Sequence, residues 1–190
     1  YNIGDNSEAV TSDVSAVGSL ATLLGDKAMN VTQLSVKGYL NDDDISLLQK
    51  MAGKESTGKL KSLNLSEATF TETGKIVPES IFQNCKNLQH VDLSNMTEIG
   101  KWAFNNCALT TLSIPASVTK ICAQAFMNCS ALKTLEFVAG TTEKELVLET
   151  EAFFGCVNMD LANGGVLPSR IISIAARTFQ GCGITKLTLP

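Results

Sequence analysis

The chain has 190 residues, 44% of them hydrophobic and 18% charged, with a formal net charge of −4. That length suits one domain with a sizeable core, and the ordinary apolar fraction excludes a disordered chain. No apolar run approaches the roughly 18 residues that a membrane-spanning helix needs, and a pI near 5.0 argues against a nucleic-acid partner.

In chain order, residues 1–9 are polar and carry no periodic pattern. Residues 10–28 read as an amphipathic helix, with Val10, Val14, Val17, Ala21 and Leu24 on one stripe. Residues 31–36 read as a first strand. Asn41 to Met51 reads as a second helix, with Ile45, Leu48 and Met51 at helical spacing. Asn41 or Asp42 can cap it, and Asp43 and Asp44 favour its positive end. Residues 1–53 are therefore expected to form an N-terminal cap of two helices and the first strand. Residues 54–190 are expected to form a repeat array whose last coil is incomplete.

The repeat is visible as an aromatic followed three residues later by Cys: IFQNC at 81–85, AFNNC at 103–107, AFMNC at 125–129, AFFGC at 152–156 and TFQGC at 178–182. Each copy leads to an L-x-x-L-x-L pattern, such as Leu88/Val91/Leu93 and Leu132/Leu135/Phe137, degraded after Cys156 to Met159 and Leu161 before Asn163-Gly164-Gly165; earlier copies are Leu60/Leu63/Leu65 and Val31/Leu34/Val36. IPASVTKICAQAF at 114–126 matches LPSRIISIAARTF at 167–179 in residue class throughout. One such coil cannot bury its own apolar face, but stacked coils share a continuous core. The fold predicted is an α/β solenoid: short parallel strands along one face, turns on the other, and the repeated Phe side chains stacked inside. The 138–150 segment is an insertion. Its polar middle, 141–145, precedes Leu146-Val147-Leu148, which reads as a hairpin or an extra strand. The chain starts at Tyr1 without Met, as a mature or trimmed chain would. It stops at Leu189-Pro190, the start of another I-P block, so an open apolar edge is expected there.

A-F-x-N-C-x-x-L-x-x-L-x-I-P-x-S-V-T-x-I, followed by Ala103 to Ile121 with one residue missing between Cys107 and Leu109, resembles the BspA-type (Treponema pallidum-type) leucine-rich repeat. The likeness covers about residues 60–190, and residues 31–53 resemble the cap of such proteins from Bacteroides-type gut anaerobes. The resemblance implies a right-handed leucine-rich-repeat solenoid. It also implies an exported protein, extracellular or on the cell surface, with any signal or lipoprotein anchor removed from this chain. Family members are described as adhesins and interaction modules rather than enzymes, so a protein partner such as a host or matrix component is the expectation.

The residues themselves say little about catalysis. His90 is the only histidine, so a Ser-His-Asp or Cys-His mechanism would have to run through it. It lies on an outward strand position with Asp92, Thr111, Ser113, Thr134 and Glu136, and a flat strand face lacks an oxyanion hole. These residues, with Lys186 in the last coil, form the candidate partner-binding face; no catalytic residue, metal site or cofactor is expected. Cys85, Cys107, Cys129, Cys156 and Cys182 share one phase. Side chains stacked at that phase do not converge for disulfides, so a buried structural column is expected. Cys122 lies off that phase. Zinc is disfavoured by the absence of CxxC and the single His. Trp102 occupies a column otherwise filled by Gln124, Glu151 and Arg177, and is expected to be an exposed aromatic. Three functions follow in order: a protein-binding or adhesive array, a structural spacer that presents another domain, and a carbohydrate-binding module.

Overall fold

A computed structural model describes residues 9–140 and 144–189. The expectations for residues 1–8, for 141–143 and for Pro190 lie outside the described residues. The chain winds as a solenoid whose coils pass through three sides: a front strand, a shorter back strand and a turn.

The cap differs from the sequence expectation. A single helix over 10–28 is replaced by strand β1 (Val10–Val14), helix α1 (Leu20–Leu24) and a 3-10 turn over Gly25–Asn30. Valine at 10 and 14 and threonine at 11 favour a pleated surface. Gly18, at φ +78°, breaks any helix running through it. β1 pairs in parallel with β2 (Gln33–Leu40), in register from Val10↔Leu34 to Val14↔Gly38. Helix α2 (Asp42–Met51) forms as expected with Asn41 as N-cap. Its capping box is reciprocal: Asp44 N–H donates to Asn41 Oδ1 at 3.0 Å and Asn41 N–H donates to Asp44 Oδ2 at 3.2 Å. Asp44 is buried rather than solvated, and its carboxylate also accepts the Gly18 and Leu20 N–H groups at 3.0 Å. One side chain thus caps two helices and ties them together.

The front strands are β3 (Ser62–Phe70), β5 (His90–Asp92), β7 (Thr111–Ile114), β9 (Thr134–Phe137) and β11 (Asp160–Leu161). They form two parallel ladders, β1-β2-β3-β5 and β7-β9-β11, with an interruption between β5 and β7. A second parallel sheet lies on the back, which the sequence reading did not assign. It consists of β4 (Ile76–Val77), β6 (Glu98–Ile99), β8 (Lys120–Ile121), β10 (Leu146–Leu148) and β12 (Ile171–Ile174), paired in that order. The Leu146–Leu148 part of the insertion is therefore neither a hairpin nor an extra strand. It is the ordinary back strand of its coil, with Leu148 opposite Ile121 and Ile174.

The third side is built from turns with two left-handed residues per coil, four positions apart. One column is Ser80, Trp102, Gln124, Glu151 and Arg177, at φ between 56° and 59°. The other is Asn84, Asn106, Asn128, Gly155 and Gly181, at φ between 59° and 74°. Asn and Gly are the residues that tolerate this conformation, which explains why Gly replaces Asn at this phase. The turns are knitted between coils: Phe82 N–H donates to Ala103 O at 2.7 Å, Phe104 to Ala125 and Phe126 to Ala152 at 2.8 Å.

Inside, Phe82, Phe104, Phe126, Phe153 and Phe179 stack with ring centroids 5.3 to 5.6 Å apart. The first four are fully buried; Phe179, in the last coil, is half-buried. Beside them runs the cysteine column. Cys107, Cys129, Cys156 and Cys182 donate their thiols to the carbonyl of the Phe in the preceding coil, at 2.8, 3.1, 3.1 and 3.1 Å. That carbonyl also accepts the Cys N–H of its own coil, as Phe82 O does from Cys85 N–H at 3.1 Å. Cysteine is small enough for this slot and still supplies a donor to a buried carbonyl. All six cysteines are free thiols.

Candidate partner-binding face

The front strands bring the proposed residues into two rows. Register places Ser62 beside His90, Asn64 beside Asp92, Thr111 beside Thr134 and Ser113 beside Glu136. Alternation along each strand buries Leu63, Leu112 and Leu135 and turns these polar residues outward. Gln33 and Ser35 extend the rows into the cap, which the sequence reading had not included. Asp160 is the partner of Thr134 in the next coil, and the Thr185 hydroxyl stands 2.7 Å from Asp160 Oδ2. Lys186 lies in the last coil, outside the paired strands, with its backbone against Gly165.

The side chains hold one another in place. His90 Nδ1 is 3.2 Å from Thr111 Oγ1. Asp92 Oδ1 accepts the Ser94 amide at 2.9 Å and also the Ser94 hydroxyl. The Ser113 hydroxyl donates to Glu136 at 3.3 Å, away from His90. The Thr185 hydroxyl, with the Leu161 and Thr185 amides, holds the Asp160 carboxyl below its ordinary value.

The face is not flat. A hollow of about 530 Å³ opens where the ladder is interrupted, lined by His90, Asp92, Ser94, Thr111, Ser113, Pro115, Ala116, Ser117 and Val138 among others. A second hollow of about 330 Å³ lies on the other side of β5, between Gln33, Ser35, Ser62, Asn64 and Asp92. β5 is thus a ridge between two depressions. The interruption falls at the coil that is one residue short between Cys107 and Leu109. That missing residue was the one signal in the sequence, and its consequence for strand pairing cannot be read without coordinates.

Trp102 corrects an expectation. It is half-buried, not exposed. Its indole N–H donates to Gln124 Oε1, and the Lys101 ammonium stands 3.9 Å from its ring centroid. Gln124 in turn donates to Glu151 at 2.6 Å, and Arg177 pairs with Glu151 at 2.8 Å. The column is a polar chain that links four coils.

Other charged groups off the front face are also matched internally. On the back sheet Lys120 lies 2.9 Å from Glu149 and 3.8 Å from Glu98. The hydrogen bond that Lys120 donates to Glu149 is the main cause that raises the Lys120 ammonium. Partial burial pushes the Glu149 carboxyl up, but Lys120 and the Ala123 N–H outweigh it and hold it below its ordinary value. Burial, aided by Glu98, pushes the Cys122 thiol up to about 12. Arg170 is buried, donating to Val118 O at 2.9 Å and Pro115 O at 3.1 Å across an intervening coil. Among the described residues, no group of His, Cys, Asp and Glu is arranged to hold a metal ion, and no helix is long and apolar enough to cross a membrane.

The coil geometry and its recurring Phe, Cys and Asn columns define a leucine-rich-repeat protein. Six copies of the BspA type leucine rich repeat region match residues 58–185, and the chain belongs to this family. Among solved structures it is similar to a leucine rich cell surface protein from Faecalibacterium prausnitzii A2-165, at 21% identity and a TM-score of 0.35. That match covers 84% of this chain and 55% of the other, so this chain spans about half the length of that relative. No curated protein matches the chain.

Proposed function

We propose that the chain is a non-catalytic recognition module, exported to the cell surface or beyond it, that binds a protein partner through its front strand face. The observation that supports this most is the pair of outward rows with two adjoining hollows at His90–Asp92. They offer hydroxyls, amides and carboxylates on a rigid, open sheet face. Repeated polar spacing suits an extended partner that makes many modest contacts, with affinity drawn from area or multivalency. The family resemblance supports export. Adhesion to a host or matrix component is the form of recognition we assign.

The test is binding of the purified chain to an array of extracellular-matrix proteins and glycans, beside a variant carrying His90→Ala, Asp92→Ala and Glu136→Ala. A protein hit lost in the variant is the expected result. No hit at tens of micromolar would favour a spacer that presents another domain, and a glycan hit would favour a carbohydrate-binding module.

A further inference from the structure

We propose that the front face selects an extended, basic protein segment, with Asp92 and Glu136 as the counter-charges for lysine or arginine side chains. This rests on the reading of the front face as the binding surface and adds the chemistry of the partner.

The argument is one of charge placement. The two rows from Gln33 to Asp160 contain three carboxylates, Asp92, Glu136 and Asp160, one imidazole, His90, and neither lysine nor arginine. Neither hollow beside β5 has a lysine or arginine in its lining. The nearest cations in sequence, Lys61 and Lys133, stand one position before the rows, where each strand enters the face. Four carboxylates outside the rows have ion pairs: Glu67 with Lys37, Glu98 and Glu149 with Lys120, and Glu151 with Arg177. On the front rows the carboxylates hold only hydroxyls and amides, from Ser94, Ser113, Leu161 and Thr185. A carboxylate has about four acceptor sites, so those contacts orient Asp92 and Glu136 without saturating them. His90, Asp92, Ser113 and Glu136 are exposed, whereas Asp160 is half-buried.

Spacing makes the inference specific. Asp92 and Glu136 occupy one row, separated by the strand that carries Ser113. Two strand spacings make about 10 Å. An extended segment in the polyproline II conformation rises about 3.1 Å per residue with three residues per turn, so side chains three positions apart lie on one face about 9 Å apart and match the two carboxylates. The hollow beside Asp92, lined also by Pro115, Ala116 and Val138, can accept the aliphatic stem of a long cationic side chain.

The experiment uses three labelled nine-residue peptides on the full chain, read by fluorescence anisotropy at low and at moderate salt. One peptide carries lysines at positions 1, 4 and 7 among serines and threonines. The second has the same composition with the lysines adjacent, and the third has glutamate for lysine. The spaced basic peptide is expected to bind tightest, the acidic one not at all, and binding is expected to weaken with salt. Asp92→Asn with Glu136→Gln should weaken the basic peptide about fivefold, as surface ion pairs of this kind are modest. Ser113→Lys, which sets a cation between the two carboxylates, should abolish it. Equal binding of the acidic peptide, no binding of the basic one, or binding unchanged in both variants overturns the proposal. If none of the peptides binds while a matrix protein is lost in the triple alanine variant, the face is the binding surface and only the charge assignment falls.

Discussion

At the scale of the residue, the two left-handed columns and the thiol column explain most of the recurring letters. Asn128 sits at φ 60° on an exposed turn. Replacing it with Val forces a β-branched residue into that conformation and should cost about 1–2 kcal/mol, whereas Gly should be tolerated within a few tenths. Urea midpoints of the two variants check this. The thiols carry a pH signature. Burial pushes Cys85 up to about 12, well above the ordinary value of 9.0, and burial also raises Cys107. A group whose folded pKa is raised contributes stability that is complete below its unfolded pKa and is lost as pH rises toward the folded one. The melting temperature should therefore be insensitive to these thiols below about pH 8 and fall between pH 9 and 12. Melts of the wild type and of Cys85→Ala across that range provide the comparison, with a smaller alkaline loss in the variant.

At the scale of the element, the repeat coils and the second cap helix were legible and the first part of the cap was not. L-x-x-L-x-L gave the front strands because period two and leucine spacing act together within five residues. The back strands are two to four residues long, too short for any periodicity, and only register with their neighbours reveals them. Residues 10–28 misled because Val10, Val14, Val17, Ala21 and Leu24 fit a helical stripe, while Val10 to Val14 also fit a strand. Pairing with β2, which no local pattern records, decides the outcome. The capping role of Asn41 could be read from the sequence, but the burial of Asp44 could not, since its other partners lie more than twenty residues away. Asp44→Ala leaves the Gly18, Leu20 and Asn41 N–H groups without their acceptor and should cost about 2–4 kcal/mol. Asp44→Asn, which keeps an acceptor oxygen, should cost less, and chemical unfolding of both variants tests the ordering.

At the scale of the whole molecule, stability is a sum over coils and their interfaces, and recognition is a property of rows that no single coil contains. The candidate face was largely readable, because outward positions follow from the strand pattern once the coils are aligned. Its extension through Gln33 and Ser35, the place of Asp160 beside Thr134, and the two hollows were not, because they depend on how coils of unequal length settle against one another. The C-terminal edge leaves Ile172, Leu187 and Leu189 exposed, as expected of the last described coil of a stacked array.

The central claim is that the front face, and no other side of the solenoid, meets the partner. The most direct measurement compares three proteins on the same matrix array: the wild type, the front-face variant with His90, Asp92 and Glu136 changed to Ala, and a back-sheet variant with Glu98→Ala, Lys120→Ala and Glu149→Ala. Circular dichroism melts confirm that each is folded. The account predicts that the front-face variant loses the protein hit by tenfold or more while the back-sheet variant keeps it. A hit that survives in the front-face variant and disappears with the back-sheet changes would contradict it.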